Sequence, residues 1–229
     1  FYLRLVDCVG FVIPSAKGYK NEDGTNRTIK TPWSVDEMPF EEAAVLGTKK
    51  VIESHTNIGI VVTSDGTFGD FTRSEYESVE ENIINELKNA GKPFIIVLNT
   101  AYPDDPKTIN LQQQIKDKYG ISVVVLDVVN METMDIDNLL KTALDEFDIE
   151  ELNINLPNWV NMLSDDISFK NQFNEELSNT TSVYRKMKDI FNIQDTFKAS
   201  GLFASVEVED INPGNGVVTL NLNCSEETY

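Results

Sequence analysis

The 229-residue chain has one histidine, two cysteines, no apolar run long enough to cross a bilayer, and half as many basic residues as acidic ones. Each shortage closes a class of function. His55 stands without cysteines or carboxylates at ligand spacing, which makes a poor zinc site. No serine, histidine and acid, and no cysteine with histidine, form a set suited to covalent hydrolysis. Cys8 and Cys224 lie at opposite ends and read as reduced thiols of a cytosolic protein. Without ~18 consecutive apolar residues, or a charged start leading into an apolar stretch, neither a membrane span nor a signal peptide is expected. Nineteen Lys and Arg against 38 Asp and Glu give a formal charge of −19, which repels nucleic-acid backbones and anionic headgroups alike. Direct nucleic-acid binding is therefore not expected.

What is present begins at residues 4–11, "RLVDCVGF". An apolar run that ends in an acid, followed three residues later by glycine, suits a phosphate-binding α/β domain. Asp7 at a strand end can hold the waters of a magnesium ion bridging the last two phosphates, and the Gly10 N–H can approach the γ-phosphate because no side chain obstructs it. The competing reading is an aspartate that caps a turn. The loop that wraps the phosphates, G-x-x-x-x-G-K-[ST], belongs well before such an acid, yet only six residues precede Asp7. Both chain ends are abrupt, so the chain reads as a fragment.

Three other stretches bear on the same chemistry. Residues 11–39 are long for a structureless connection, so they read either as a switch segment with Phe11 and Trp33 as anchors or as an insertion packed on its own domain. Asn99 closes "KPFIIVLN" where guanine-specific proteins carry Asn-Lys-x-Asp. Here the four residues are "NTAY": Thr100 replaces the lysine and Tyr102 the aspartate, leaving no acid for the guanine N–H groups, and adenine is the expected base. Arg73, after the glycines of "TSDGTFGDFTR", is either an arginine finger toward a neighbouring molecule's phosphates or a solvated residue in the first turn of its helix.

Apolar runs at residues 2–6, 58–63, 93–98 and 121–126 alternate with helical patterns near 40–54, from "TRSE" to Gly91, from "DP" to Gly120, and from about 135. This predicts an α/β domain over residues 1–150 with a doubly wound, mostly parallel sheet of P-loop NTPase type, incomplete because its N-terminal strands and phosphate loop are absent. Residues 151–229 read as the start of an α+β domain. In it, Val183, Met187, Ile190 and Phe191 form the one helical stripe, and Leu202, Ala204, Val206 and Val208 alternate toward "NPGNG" and a second strand with Val218, Leu220 and Leu222 inward. Its sheet is expected to be cut off before it closes.

The stretches "RLVDCVGF", "AKGY", "TPW", "PFEEAAVLGTKKVIESH", "IGIVVTSDGTFGDFTRSEY", "ELKNAGKPFIIVLNT" and "LPNWV" resemble the stage IV sporulation protein A family, the morphogenetic ATPases of the spore coat. The resemblance implies a translation-factor-type GTPase domain turned to ATP, followed by middle and C-terminal domains. It implies ATP and Mg2+ as cofactors, with Asp7 as the Walker B acid, Gly10 as the glycine that follows it, and Asn99 and Thr100 as a degenerate base-site segment. It also implies a homopolymer in the mother-cell cytoplasm at the outer forespore membrane, forming the basement layer of the spore coat. Stage V sporulation protein M, an amphipathic peptide, would be its anchor, and coat proteins would dock on top. On this resemblance the family's phosphate loop lies upstream of residue 1, so the chain is expected to be an inactive fragment lacking it. The rival expectation is a docking scaffold that keeps only the nucleotide-binding fold.

The "NTAY" segment predicts that unlabelled GTP displaces bound ATP no better than unlabelled ATP does. A competition assay in which GTP proves the stronger would reinstate a guanine site.

Overall fold

In the computed structural model, which describes residues 4–16, 18, 20–21, 23–162 and 168–224, the chain divides into two units, Phe1–Ala143 and Leu144–Tyr229. In the first, β1 (Thr28–Ile29) pairs antiparallel with β2 (Met38–Pro39), which leads directly into α1 (Phe40–His55). Strand and helix then alternate: β3 (Gly59–Ser64), α2 (Arg73–Asn89), β4 (Phe94–Asn99), α3 (Pro106–Tyr119), β5 (Val123–Leu126) and α4 (Thr133–Asp145). The helix ends follow local chemistry. Thr72 and Glu75 close a capping box on α2; Asp105 accepts from the Lys107 N–H with Pro106 at the first helical position of α3; Gly120 ends α3 at φ 69°.

Strands β3, β4 and β5 form a parallel sheet in that order. Every residue of β4 but Asn99 is buried, as a central parallel strand covered on both faces requires. On one face Val61, Ile96, Leu98 and Val123 pack with Ile84 and Leu87 of α2, Ile115 and Tyr119 of α3, and Ile52 of α1. On the other, Ile95, Val97, Val124 and Leu126 pack against Ala143 and Leu139 of α4. Register keeps the strand ends level: Ser64 lies opposite Asn99, and Asn99 opposite Leu126.

The expected doubly wound sheet short of its N-terminal strands is corrected. The unit is a mixed β-α fold, an antiparallel pair leading into a three-stranded parallel sheet with helices on both faces. Of the strand expected at residues 2–6, residues 2 and 3 lie outside the described residues, and 4–6 have no strand conformation. An apolar run suits a sheet, but pairing makes a strand, and among the described residues the sheet's order ends at β3. The described part of the segment from residue 11 to 39 is mostly exposed, and it contacts the unit it belongs to. Trp33 lies against α1 at Gly47, where an added Cβ would come 3.3 Å from the ring, and Ser15 Oγ donates to a carboxylate oxygen of Glu75.

The second unit contains β6 (Glu151–Asn155), a 3-10 turn (Asn158–Met162), α5 (Ser168–Val183), α6 (Ile190–Ala199), β7 (Phe203–Asn212) and β8 (Val217–Cys224). β6 adds a third strand to the expected hairpin. The order is β6-β8-β7, with β8 parallel to β6 and antiparallel to β7. Its core joins Val206, Val218, Leu220 and Leu222 to Met187, Ile190, Ile193 and Phe197. Two expected faces shift. The helix breaks after Val183 and restarts at Ile190, so Val183 and Phe191 are exposed and Ile193 and Phe197 take the inner stripe. A register shift between Phe203 and Ser205 turns Phe203 inward and Ala204 outward. Glu146 is fully buried, held by Lys186 Nζ at 2.6 Å and Lys188 Nζ at 2.7 Å.

Phe197 has 0% exposure and meets Phe203 edge-on at 5.9 Å between ring centroids. Phe197→Ala should lower stability by about 3–5 kcal/mol, whereas Phe191→Ala on the exposed side of the same helix should stay within about 0.5 kcal/mol. Urea unfolding of the two variants checks both.

Candidate functional site

Ligands of open parallel sheets bind beyond the carboxyl ends of the strands. Because β3, β4 and β5 end in register, the residues that follow them, Asp65, Thr100 and Asp127, leave the sheet side by side. Side-chain bonds tie the first two exits together, and Asn99 ties the second to the third. Thr100 Oγ1, on a residue with 0% exposure, donates to Asp65 Oδ2 at 2.6 Å. Asp65 Oδ1 accepts from the Thr67 N–H at 2.9 Å and from Thr67 Oγ1 at 2.5 Å. Thr67 Oγ1 in turn accepts from the Ala101 N–H at 2.9 Å, and Thr100 Oγ1 from the Tyr102 N–H at 3.1 Å. Asn99 Oδ1 accepts from the Val128 N–H at 3.1 Å, tying β4 to the turn after β5. Asp127 accepts from the Val129 and Asn130 N–H groups and from Asn130 Nδ2.

Partial burial pushes the Asp65 carboxyl up, but the hydrogen bonds from Thr100 and Thr67 outweigh it and leave the group below the usual carboxylate range. The next residue must be glycine. Gly66 has φ 89°, and a Cβ there would come 3.0 Å from the Arg73 backbone nitrogen.

Arg73 fits neither sequence reading. Its Nη1 lies 2.7 Å from Glu80 Oε2 and its Nη2 3.0 Å from Oε1, a bidentate pair with a carboxylate that is 3% exposed. Nη1 also donates to Thr63 Oγ1 at 3.0 Å and to the Ser64 carbonyl at 3.4 Å. The arginine is spent inside its own unit, where it fixes the end of β3 just ahead of Asp65. Seven residues is two helical turns, so Arg73 and Glu80 share the face of α2 that meets β3.

Of the residues expected from sequence, Asn99 and Thr100 belong to the stitched edge. Asp7 and Gly10 lie in a segment without regular structure, Asp7 exposed and Gly10 at φ 74° with open space where a Cβ would stand. Among the described residues no hydrogen bond or ion pair links Asp7 to the edge. Magnesium carried on a triphosphate draws most of its shell from water and phosphate oxygens and needs one or two carboxylates. The exposed Asp7 carboxylate fits that donor requirement. No group of three or more His, Cys, Asp or Glu among the described residues forms a metal cage. Sequence reasoning missed Asp65, Glu80 and Asp127. The signals were an acid directly after the strands "GIVVTS" and "VVVL", and the seven-residue Arg-Glu spacing.

The chain matches two family models, described as stage IV sporulation protein A, ATPase domain, over residues 1–148, and stage IV sporulation protein A, middle domain, over residues 149–229. It is 40% identical over 227 residues to stage IV sporulation protein A of Bacillus subtilis (strain 168). The identity is 39% to that of Bacillus anthracis and 37% to that of Clostridioides difficile (strain 630). Each alignment covers 99% of this chain and 46% of the relative, so the chain spans about half the length of the curated relatives it matches. No solved structure matches it. The expected fragment lacking its phosphate-loop part is thereby corrected, since the ATPase-domain match runs from residue 1 to residue 148. A missing motif concerns a handful of positions, whereas the match concerns a domain's whole pattern.

Removing the Arg73 guanidinium strands a buried carboxylate, so Arg73→Ala should cost about 3–5 kcal/mol at neutral pH. Burial pushes Glu80 up; hydrogen bonds from Arg73 and Thr63 and the charge of Arg73 outweigh it and lower its pKa. A carboxyl lowered on folding stabilises above its unfolded pKa and loses that contribution as pH falls through the folded value. Urea unfolding at descending pH should therefore show a shallower acid limb for Glu80→Gln than for the parent protein.

Proposed function

The chain belongs to the stage IV sporulation protein A family, and from that membership we propose that it is part of an ATP-hydrolysing morphogenetic scaffold that polymerises on the forespore surface as the basement layer of the spore coat. The observation that carries the reading is the ATPase-domain match over residues 1–148, on a parallel sheet whose strand ends stand level and cross-tied at their carboxyl edge. In this reading Asp7 would hold a magnesium ion through its waters and the Gly10 N–H would meet the terminal phosphate. Asn99 and Thr100 would brace the base side of the edge from beneath, through their bonds to Val128 and Asp65. Magnesium held there would supply neutralisation of phosphate charge; the chain's own part is to position the nucleotide and keep the edge rigid.

Residues 1–150 act as the nucleotide domain and 151–229 as the middle domain of the assembly. The partners are further copies of the chain, coat proteins, and stage V sporulation protein M as membrane anchor, in the mother-cell cytoplasm at the outer forespore membrane. No helix among the described residues is long and apolar enough to cross a membrane.

Asp7→Asn should reduce ATP turnover by at least about a hundredfold, as loss of several kcal/mol of transition-state charge stabilisation requires. Phosphate release measured beside sedimentation checks it. Unchanged turnover removes the role of Asp7, and equal pelleting with ATP, with a non-hydrolysable analogue and with neither points to the docking scaffold.

A further inference from the structure

Tyr102 is 63% exposed at the carboxyl end of the central strand, and among the described residues its ring has no aromatic or cationic partner. An exposed aromatic on a loose loop would carry little meaning, but this one sits on a fixed turn. Its N–H donates to Thr100 Oγ1 at 3.1 Å, its carbonyl accepts from the Asp105 N–H at 3.1 Å, and the preceding N–H, of Ala101, is held by Thr67 Oγ1 at 2.9 Å. Thr100 is anchored in turn by Asp65. The ring is thus carried on a turn that binding need not reorganise, which is what makes an exposed aromatic useful for binding.

The surrounding chemistry narrows what that ring can do. The acids that leave the sheet beside it, Asp65 and Asp127, each already accept three hydrogen bonds from their own chain, with both oxygens engaged. Neither offers the two open oxygens that the paired N–H donors of a guanine edge need. With those two acids engaged, the ring of Tyr102 offers a π-face at this position, and stacking on an aromatic is tolerant of base edges and strongest for the larger bases.

We propose that Tyr102 is the platform on which the purine ring of a bound nucleoside triphosphate stacks, and that Asp65 is the positioning residue that holds the platform's turn through Thr100 and Thr67. The inference rests on the ATP reading of this site and adds to it the way the base is held. It makes the site selective for purine over pyrimidine.

The test is titration calorimetry of ATP, UTP and inorganic tripolyphosphate with the parent protein, Tyr102→Phe and Tyr102→Ala. Tyr102→Ala should raise the ATP Kd about tenfold to a hundredfold, abolish the advantage of ATP over UTP and leave tripolyphosphate binding unchanged, while Tyr102→Phe keeps the parent's values. The platform is overturned, with ATP binding intact, if Tyr102→Ala binds ATP within twofold of the parent, if it loses tripolyphosphate equally, or if Tyr102→Phe is as weak as Tyr102→Ala. A parent protein that binds neither ATP nor tripolyphosphate overturns the ATP reading and the platform together.

Discussion

The level ending of three parallel strands is the constraint on which the site depends. Parallel strands have no tight hairpin between them to set their register, so it must come from what the strands bury. β4 is buried on both faces, and a one-residue slip would exchange Ile96 and Leu98, packed on α2 and α3, for Ile95 and Val97, packed near α4. The core thus sets the register, and the register brings Asp65, Thr100 and Asp127 out together. The polar edge is a consequence of the apolar interior.

In a chain this acidic, most carboxylates have water for company and bases are scarce. Among the described residues, the two glutamates that are almost wholly buried have each captured cations. Glu80 holds Arg73 in two-point contact, and Glu146 holds Lys186 and Lys188. Neither arrangement adds much net stability over apolar residues of similar size, because desolvation offsets the attraction. Their effect is directional. Arg73 fixes the last residues of β3 ahead of the Asp65 turn, and Glu146 draws the chain entering the second unit onto the turn that begins α6.

Much of this was legible where the cause is local. The capping box at Thr72 and Glu75, the Asp105-Pro106 start of α3 and Gly120 at its end are written in neighbouring residues, and the helices begin and stop there. What was not legible needed a distant partner. Residues 4–6 have strand composition but no strand beside them; Phe203 displaces Ala204 from the core because a bulge against β8 changes the phase of alternation; and Arg73 looks free until its helix is laid against β3. For the site, Asn99 and Thr100 were marked by their place after an apolar strand. The acids that organise the edge were hidden by their ordinariness, since an aspartate after a strand also makes a turn.

One glutamate serves two parts of the chain. A carboxylate oxygen of Glu75 accepts from the hydroxyl of Ser15, while Oε2 completes the cap of α2 with Thr72, and together these bonds hold its pKa below the usual range. The start of α2 is therefore a shared hinge-post, fastened from one side by its own first turn and from the other by the N-terminal segment. Whatever draws that segment away removes one of the bonds held by Glu75, two residues along α2 from Arg73.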